Sequence, residues 1–202
     1  VGESLKKDKK IISEAIKTFS STLELLDENL KNDRIFILKL MKINGGALTY
    51  VNKVHKNDKE LVLEAVKSSS SSIRYASKKL RNDRAVVLEA LKKNGYALQY
   101  LSKNLKKDKK IVLEAVKRNG SVLEYADKSL KKNRTIVLEA VKNYGYALKY
   151  ADKLFRILFA SIKIGAPASK RKIADVADLS SQIVDYHIDK LVANGQMLVV
   201  NS

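Results

Sequence analysis

An aspartate stands at Asp8, Asp33, Asp58, Asp83 and Asp108, and Asn133 takes the sixth place of the same 25-residue period. A period of this length constrains the fold more than any other feature of the chain. Each unit is too short to bury an apolar face alone, so equivalent faces must stack into one continuous core. The unit occurs six times between Leu5 and Leu154, after which the register ends.

Each Asp precedes a stretch of helical periodicity, where its short oxygen-bearing side chain accepts from the unsatisfied N–H groups of a helix start. Asn133 preserves that chemistry, so the column reads as structural caps. In the fifth unit the helix runs from Lys109 to Asn119, with Val112, Ala115 and Val116 as its stripe and Ile111 and Leu113 widening it. Gly45, Gly95, Gly120 and Gly145 follow the helices, with Ser20 and Ser70 in the other units, and are expected to turn the chain without side-chain strain. A second, shorter helix comes next, Tyr96 to Lys103 in the fourth unit.

Tyr50, Tyr75, Tyr100, Tyr125 and Tyr150 form a column that Leu25 completes, and a column that admits leucine reads as packing. His55 replaces leucine in the column Leu5, Leu30, Leu80, Leu105 and Leu130, which makes it a packing position rather than a base. The first unit, with Thr18-Phe19-Ser20-Ser21 at its turn, is less regular, which suits either an end of the stack or an artificially chosen chain start.

Charge supplies the functional signal. Forty Lys and Arg face 22 Asp and Glu, a formal charge of +18, and residues 1–160 hold 35 of the basic and 18 of the acidic side chains. Such an excess attracts polyanions. Three basic columns follow the period: Lys6, Lys31, Lys56, Arg81, Lys106 and Lys131; Lys9, Arg34, Lys59, Arg84, Lys109 and Arg134; Lys17, Lys42, Lys67, Lys92, Lys117 and Lys142. The third has a structural reason, since cations favour a helix C-terminus, and Glu64, Glu89, Glu114 and Glu139 stand three residues before its last members. The second runs against that preference, sitting at helix N-termini, and with the first is the candidate phosphate-contacting surface. No aromatic-interleaved basic motif along the chain singles out single strands.

There is no cysteine, and His55 and His187 lie far apart, so thiol chemistry and a metal centre have no residues to rest on. No nucleophile–base or paired-carboxylate constellation emerges; the expectation is a non-enzymatic protein without cofactor. Neither a signal sequence nor an apolar run long enough to cross a bilayer is present, and integral membrane insertion is not expected. A start at Val1 rather than Met points to a trimmed chain.

The run Asp108-Lys109-Lys110-Ile111-Val112-Leu113-Glu114-Ala115-Val116-Lys117-Arg118-Asn119-Gly120, then Val122-Leu123-Glu124-Tyr125-Ala126, resembles a family of short helical repeats of unknown function. Such repeats occur in bacterial proteins, including secreted proteins of intracellular pathogens, and in large viruses. The resemblance covers about three-quarters of the chain and implies a fold, with no catalytic residue to carry over. Past Leu154, Ile173-Ala174-Asp175-Val176-Ala177, Leu179-Ser180 and Val184-Asp185-Tyr186-His187-Ile188-Asp189-Lys190-Leu191, closing on Asn194-Gly195, resemble a winged helix-turn-helix module. That resemblance implies a third helix presenting Ser181, Gln182, Tyr186 and Lys190 to a major groove, with Lys170, Arg171 and Lys172 touching backbone.

The expected architecture is therefore all-α: a solenoid of short helical hairpins over residues 1–154 and a small, mainly helical winged-helix-like module over 155–202. The expected function is nucleic-acid binding, DNA or RNA, by the basic repeat surface with the terminal module as accessory. A protein-binding scaffold or effector adaptor is the alternative. The corresponding locations are the cytoplasm or nucleoid, or a host cell after secretion.

Overall fold

The structure is a computed structural model that describes residues 7–153 and 155–157. The terminal module expected over 155–202 lies beyond residue 157 outside the described residues, as do Leu5, Lys6, Lys170, Arg171, Lys172, Ser181, Gln182, Tyr186 and Lys190.

The described residues are helical and built as tandem repeats. Six ten-residue α-helices span Lys9–Thr18, Arg34–Ile43, Lys59–Ser68, Arg84–Lys93, Lys109–Arg118 and Arg134–Asn143. Each begins where the capping column places it. Asp58 accepts from the backbone N–H groups of Glu60 and Leu61, Asp83 from Ala85 and Val86, Asp108 from Lys110 and Ile111, and Asn133 from Ile136. The fifth helix buries Ile111, Val112, Ala115 and Val116, close to the expected stripe. A helix of under three turns is marginal alone. These six gain their stability by packing, each long helix against the next along the chain.

The second element is a 3-10 helix rather than an α-helix, and in the fourth repeat it spans Gly95–Tyr100, stopping short of the expected Lys103. Extended residues on both sides, Asn94 and Leu101, confine it to six residues. In a 3-10 helix side chains at i and i+3 eclipse. Gly95 with Leu98 and Ala97 with Tyr100 therefore face inward, while Tyr96 and Gln99 point out. Leu23, Leu48, Ile73, Leu98 and Leu123 are fully buried at the equivalent inner position.

A third short element completes the repeat, so it is not a plain hairpin. It is α-helical at Glu28–Asn32 and Lys53–Lys56 and a single 3-10 turn at Leu80–Asn82, Leu105–Lys107 and Leu130–Lys132. It has its own caps: Asp27 accepts from Leu30 N–H, Asn52 from His55, Ser77 from Leu80 and Ser102 from Leu105. His55 occupies its expected packing position at 6% exposure, with Nε2 3.0 Å from the Lys31 carbonyl oxygen.

The glycines act differently from expectation. The residue ending each long helix is extended, Asn94 at φ −154° and Asn119 at φ −152°, so no left-handed turn is needed. At Gly45, Gly95 and Gly120 glycine instead admits a close approach of the neighbouring repeat. A Cβ on Gly45, Gly95 or Gly120 would overlap the carbonyl oxygen of Ala65, Ala115 or Ala140 in the following long helix. Gly145 has nothing within 4 Å of that position among the described residues.

Candidate functional site

The three basic columns meet different fates. Members of the second bind the capping aspartate of the following repeat: Lys9 Nζ to Asp33 at 2.6 Å, Arg34 Nε to Asp58 at 2.6 Å, Lys59 Nζ to Asp83 at 2.8 Å and Arg84 to Asp108 at 3.0 Å. Arg34 also reaches Glu60 at 2.6 Å. The paired cation is the leading cause that holds Asp33, Asp58 and Asp83 below the usual carboxylate range, with backbone N–H donors adding to it. A side chain that seemed to defy the helix dipole thus neutralises the next cap. Only where the cap is Asn133 does the ladder lapse, and neither Lys109 nor Arg134 forms an ion pair among the described residues.

The third column pairs within its own helix, Lys17 with Glu14 at 2.8 Å, Lys67 with Glu64 at 2.6 Å, Lys92 with Glu89 at 3.4 Å and Lys117 with Glu114 at 3.5 Å. The first column is fixed but mostly not neutralised. Lys31 pairs with Glu28 at 3.0 Å, whereas Lys56, Lys106 and Lys131 donate to the backbone carbonyls of Thr49, Gln99 and Glu124 at 2.7, 2.8 and 2.6 Å. Those carbonyls lie at the ends of 3-10 helices, where acceptors are left over. Burial pushes the Lys106 and Lys131 ammonium groups below the usual lysine range. In Arg81, Nε is buried without a partner.

A fourth column went unread in the sequence, although it keeps the same period: Lys53, Lys78, Lys103, Lys128 and Lys153, one residue past the third-element cap. All five are exposed and form no ion pair among the described residues. In the second, third and fourth repeats, residues 45–57, 70–82 and 95–107 contain no Asp or Glu at all. They carry Lys53, Lys56, Arg74, Lys78, Lys79, Arg81, Lys103, Lys106 and Lys107. The first repeat is the opposite, with Glu24, Asp27 and Glu28 at these places.

The tyrosine column lies on the same short elements. Its rings are half-buried against the core, as the packing reading required, and three of the five also meet cations. The Arg74 guanidinium lies 4.7 Å from the Tyr75 ring centre and 5.7 Å from that of Tyr100, and Lys149 Nζ lies 4.7 Å from that of Tyr150. Such contacts orient a cation without cancelling its charge. Stacking thus assembles an aromatic and basic edge from residues 25 apart, which a scan for a contiguous motif misses.

At the opposite end of the 3-10 helices is a cleft of about 370 Å³, lined by Tyr96, Arg118, Asn119, Ser121, Asn143 and Tyr144. Among the described residues there is no group of three or more His, Asp or Glu placed to hold a metal ion. No described helix is long and apolar enough to cross a membrane.

The chain matches the family described as Domain of unknown function (DUF4116) over residues 8–56, 33–80, 58–106 and 108–156. Each matched stretch takes in two successive long helices. No curated protein and no solved structure matches the chain.

Proposed function

Since the chain belongs to the DUF4116 family, whose function is unknown, its activity is read from its own surface, and we propose that it is a non-enzymatic nucleic-acid-binding protein. One observation carries the proposal. The edge formed by the 3-10 helices and third elements of the second to fourth repeats holds basic side chains and no carboxylate, whereas the two outer basic columns are largely paired.

On this reading the 25-residue units stack as a solenoid, and Lys53, Lys78 and Lys103 become a row of cations. Lys56, Arg81 and Lys106 stand behind them as a second row. Adjacent packed helices lie roughly 8–10 Å apart, so a row of this kind tracks a phosphate backbone without reading bases. Lys31, paired to Glu28, and the paired members Lys9, Arg34, Lys59 and Arg84 become secondary contributors, while Lys109 and Arg134 keep their charge available. The terminal winged-helix-like module, if it takes the shape its sequence resembles, adds orientation through Lys170, Arg171, Lys172, Ser181, Gln182, Tyr186 and Lys190. Such a protein works in the cytoplasm or on the nucleoid, or in a host cell if it is secreted.

The test is fluorescence anisotropy of labelled single strands, duplex DNA and duplex RNA at low and physiological salt. Binding that weakens with salt is expected, and the combined variant Lys53→Glu, Lys78→Glu, Lys103→Glu is expected to lose at least tenfold in affinity with its helicity intact. A lack of binding at low salt, or affinity indifferent to these reversals, contradicts the proposal. Binding to an acidic polypeptide in place of every oligonucleotide favours the scaffold alternative.

A further inference from the structure

The cleft comes from a departure in the repeat pattern. At the first outward position of the 3-10 helices the column reads Ser21, Gly46, Ser71, Tyr96, Ser121 and Tyr146, and at the preceding helix ends Phe19, Asn44, Ser69, Asn94, Asn119 and Tyr144. The fourth and sixth repeats therefore carry tyrosines where the fifth carries Asn119 and Ser121. Tyr96 and Tyr144 line a gap together with Arg118, Asn119, Ser121 and Asn143. Gly120 is part of the construction, because a Cβ there would lie 3.0 Å from Tyr144 Cβ. Both tyrosines stay open to solvent, Tyr96 at 39% and Tyr144 at 45% exposure.

Some polar groups of the cleft are engaged with one another and three are left over. Asn143 is spent, its Oδ1 accepting from Gly120 N–H at 2.7 Å and its Nδ2 donating to the Lys117 carbonyl at 3.1 Å. Asn119 Oδ1 accepts from Ser121 N–H and Oγ, and the Tyr96 and Ser121 hydroxyls meet at 2.9 Å. The Arg118 guanidinium, Asn119 Nδ2 and the Tyr144 hydroxyl have no partner among the described residues. Two aromatic side chains, a cation and an amide donor suit a flat, acceptor-rich group with a negative charge attached. The volume is within the roughly 300–1,000 Å³ of ligand-holding clefts. The cleft opens at the N-terminal end of the Gly95–Tyr100 helix, the end away from Tyr100.

We infer that this cleft receives an unstacked nucleobase of a single strand, with Tyr96 and Tyr144 stacking on its faces and Arg118 meeting the adjoining phosphate. The inference rests on the nucleic-acid reading of the basic edge and sharpens it, because a base inside a duplex has no free face to offer.

The experiment compares a fifteen-residue oligothymidylate, one base replaced by 5-iodouracil, with heparin as a polyanion lacking bases. Tyr144→Ala is expected to weaken the oligonucleotide at least fivefold and leave heparin binding unchanged, whereas Tyr144→Phe retains most of the affinity. Ser121→Leu, which fills the gap while keeping both tyrosines, is expected to act like Tyr144→Ala. Photocrosslinks are expected at Tyr96 or Tyr144. Oligonucleotide binding that survives Tyr144→Ala and Ser121→Leu, yet is lost with Lys53→Glu, Lys78→Glu, Lys103→Glu, overturns the cleft and leaves the basic edge standing. Equal losses on both probes overturn the cleft too, and no binding of either probe at low salt overturns both readings.

Discussion

At the scale of single residues, the aspartates do two jobs that the sequence shows only in part. Each caps its own helix, a local act legible from spacing, and four of them also receive a cation from the repeat before, a contact across 24 residues. Asp83 separates the two jobs. Asp83→Ala removes cap and pair, and is expected to cost about 0.5–2 kcal/mol in urea unfolding. Asp83→Asn keeps the capping oxygen and is expected to cost less, about 0.2–1 kcal/mol, the worth of an exposed pair. The asparagine already at 133 shows that the fold accepts this exchange. The Lys59 ammonium holds the Asp83 carboxyl below its ordinary range, so its contribution is complete above the unfolded carboxylate value near pH 4. It is lost as pH falls through the depressed value. The penalty of Asp83→Ala is therefore expected to shrink between pH 6 and pH 3, and a penalty that grows toward acid contradicts the assignment.

At the scale of elements, the long helices, their starts and the tyrosine packing were legible because caps and apolar periodicity are local signals. The 3-10 helix was not, since its six residues carry no period that separates it from a short α-helix. The glycine rule was misread for a related reason: a flexible turn and a close approach leave the same letter. Stacking contact distinguishes them. Gly95→Ala is expected to destabilise by about 1–3 kcal/mol, the usual cost of forcing atoms into a packed contact, because its Cβ meets the Ala115 carbonyl. Gly46→Ala, at an outward position that Ser21, Ser71, Tyr96 and Ser121 fill in other repeats, is expected to change stability by less than about 1 kcal/mol. Thermal or urea melts of the two variants check the contrast, and equal penalties would return the glycines to a turn-forming role.

At the scale of the whole molecule, period turns single side chains into edges. Where units contact mainly their neighbours, a residue type repeated every 25 positions becomes a line, and its partner is another line. The capping line and the second basic line largely cancel, and the Glu and Lys lines cancel within four of the six long helices. What survives is the basic edge of the second to fourth repeats, built from the first column and from Lys53, Lys78 and Lys103. The candidate site was thus half legible: Lys56, Arg81 and Lys106 stood in a column already noticed, while Lys53, Lys78, Lys103 and the cation-covered tyrosines needed the stack.

The salt dependence of single-strand affinity tests that claim most directly, because its slope counts displaced phosphate counterions at about 0.7 per contact. Replacing Lys53, Lys78 and Lys103 by Gln is expected to flatten the slope of log affinity against log salt by about 2. The charge-neutral variant Lys59→Gln, Asp83→Asn, Arg84→Gln, Asp108→Asn is expected to flatten it by clearly less than that. A slope that follows the second variant and ignores the first contradicts the account.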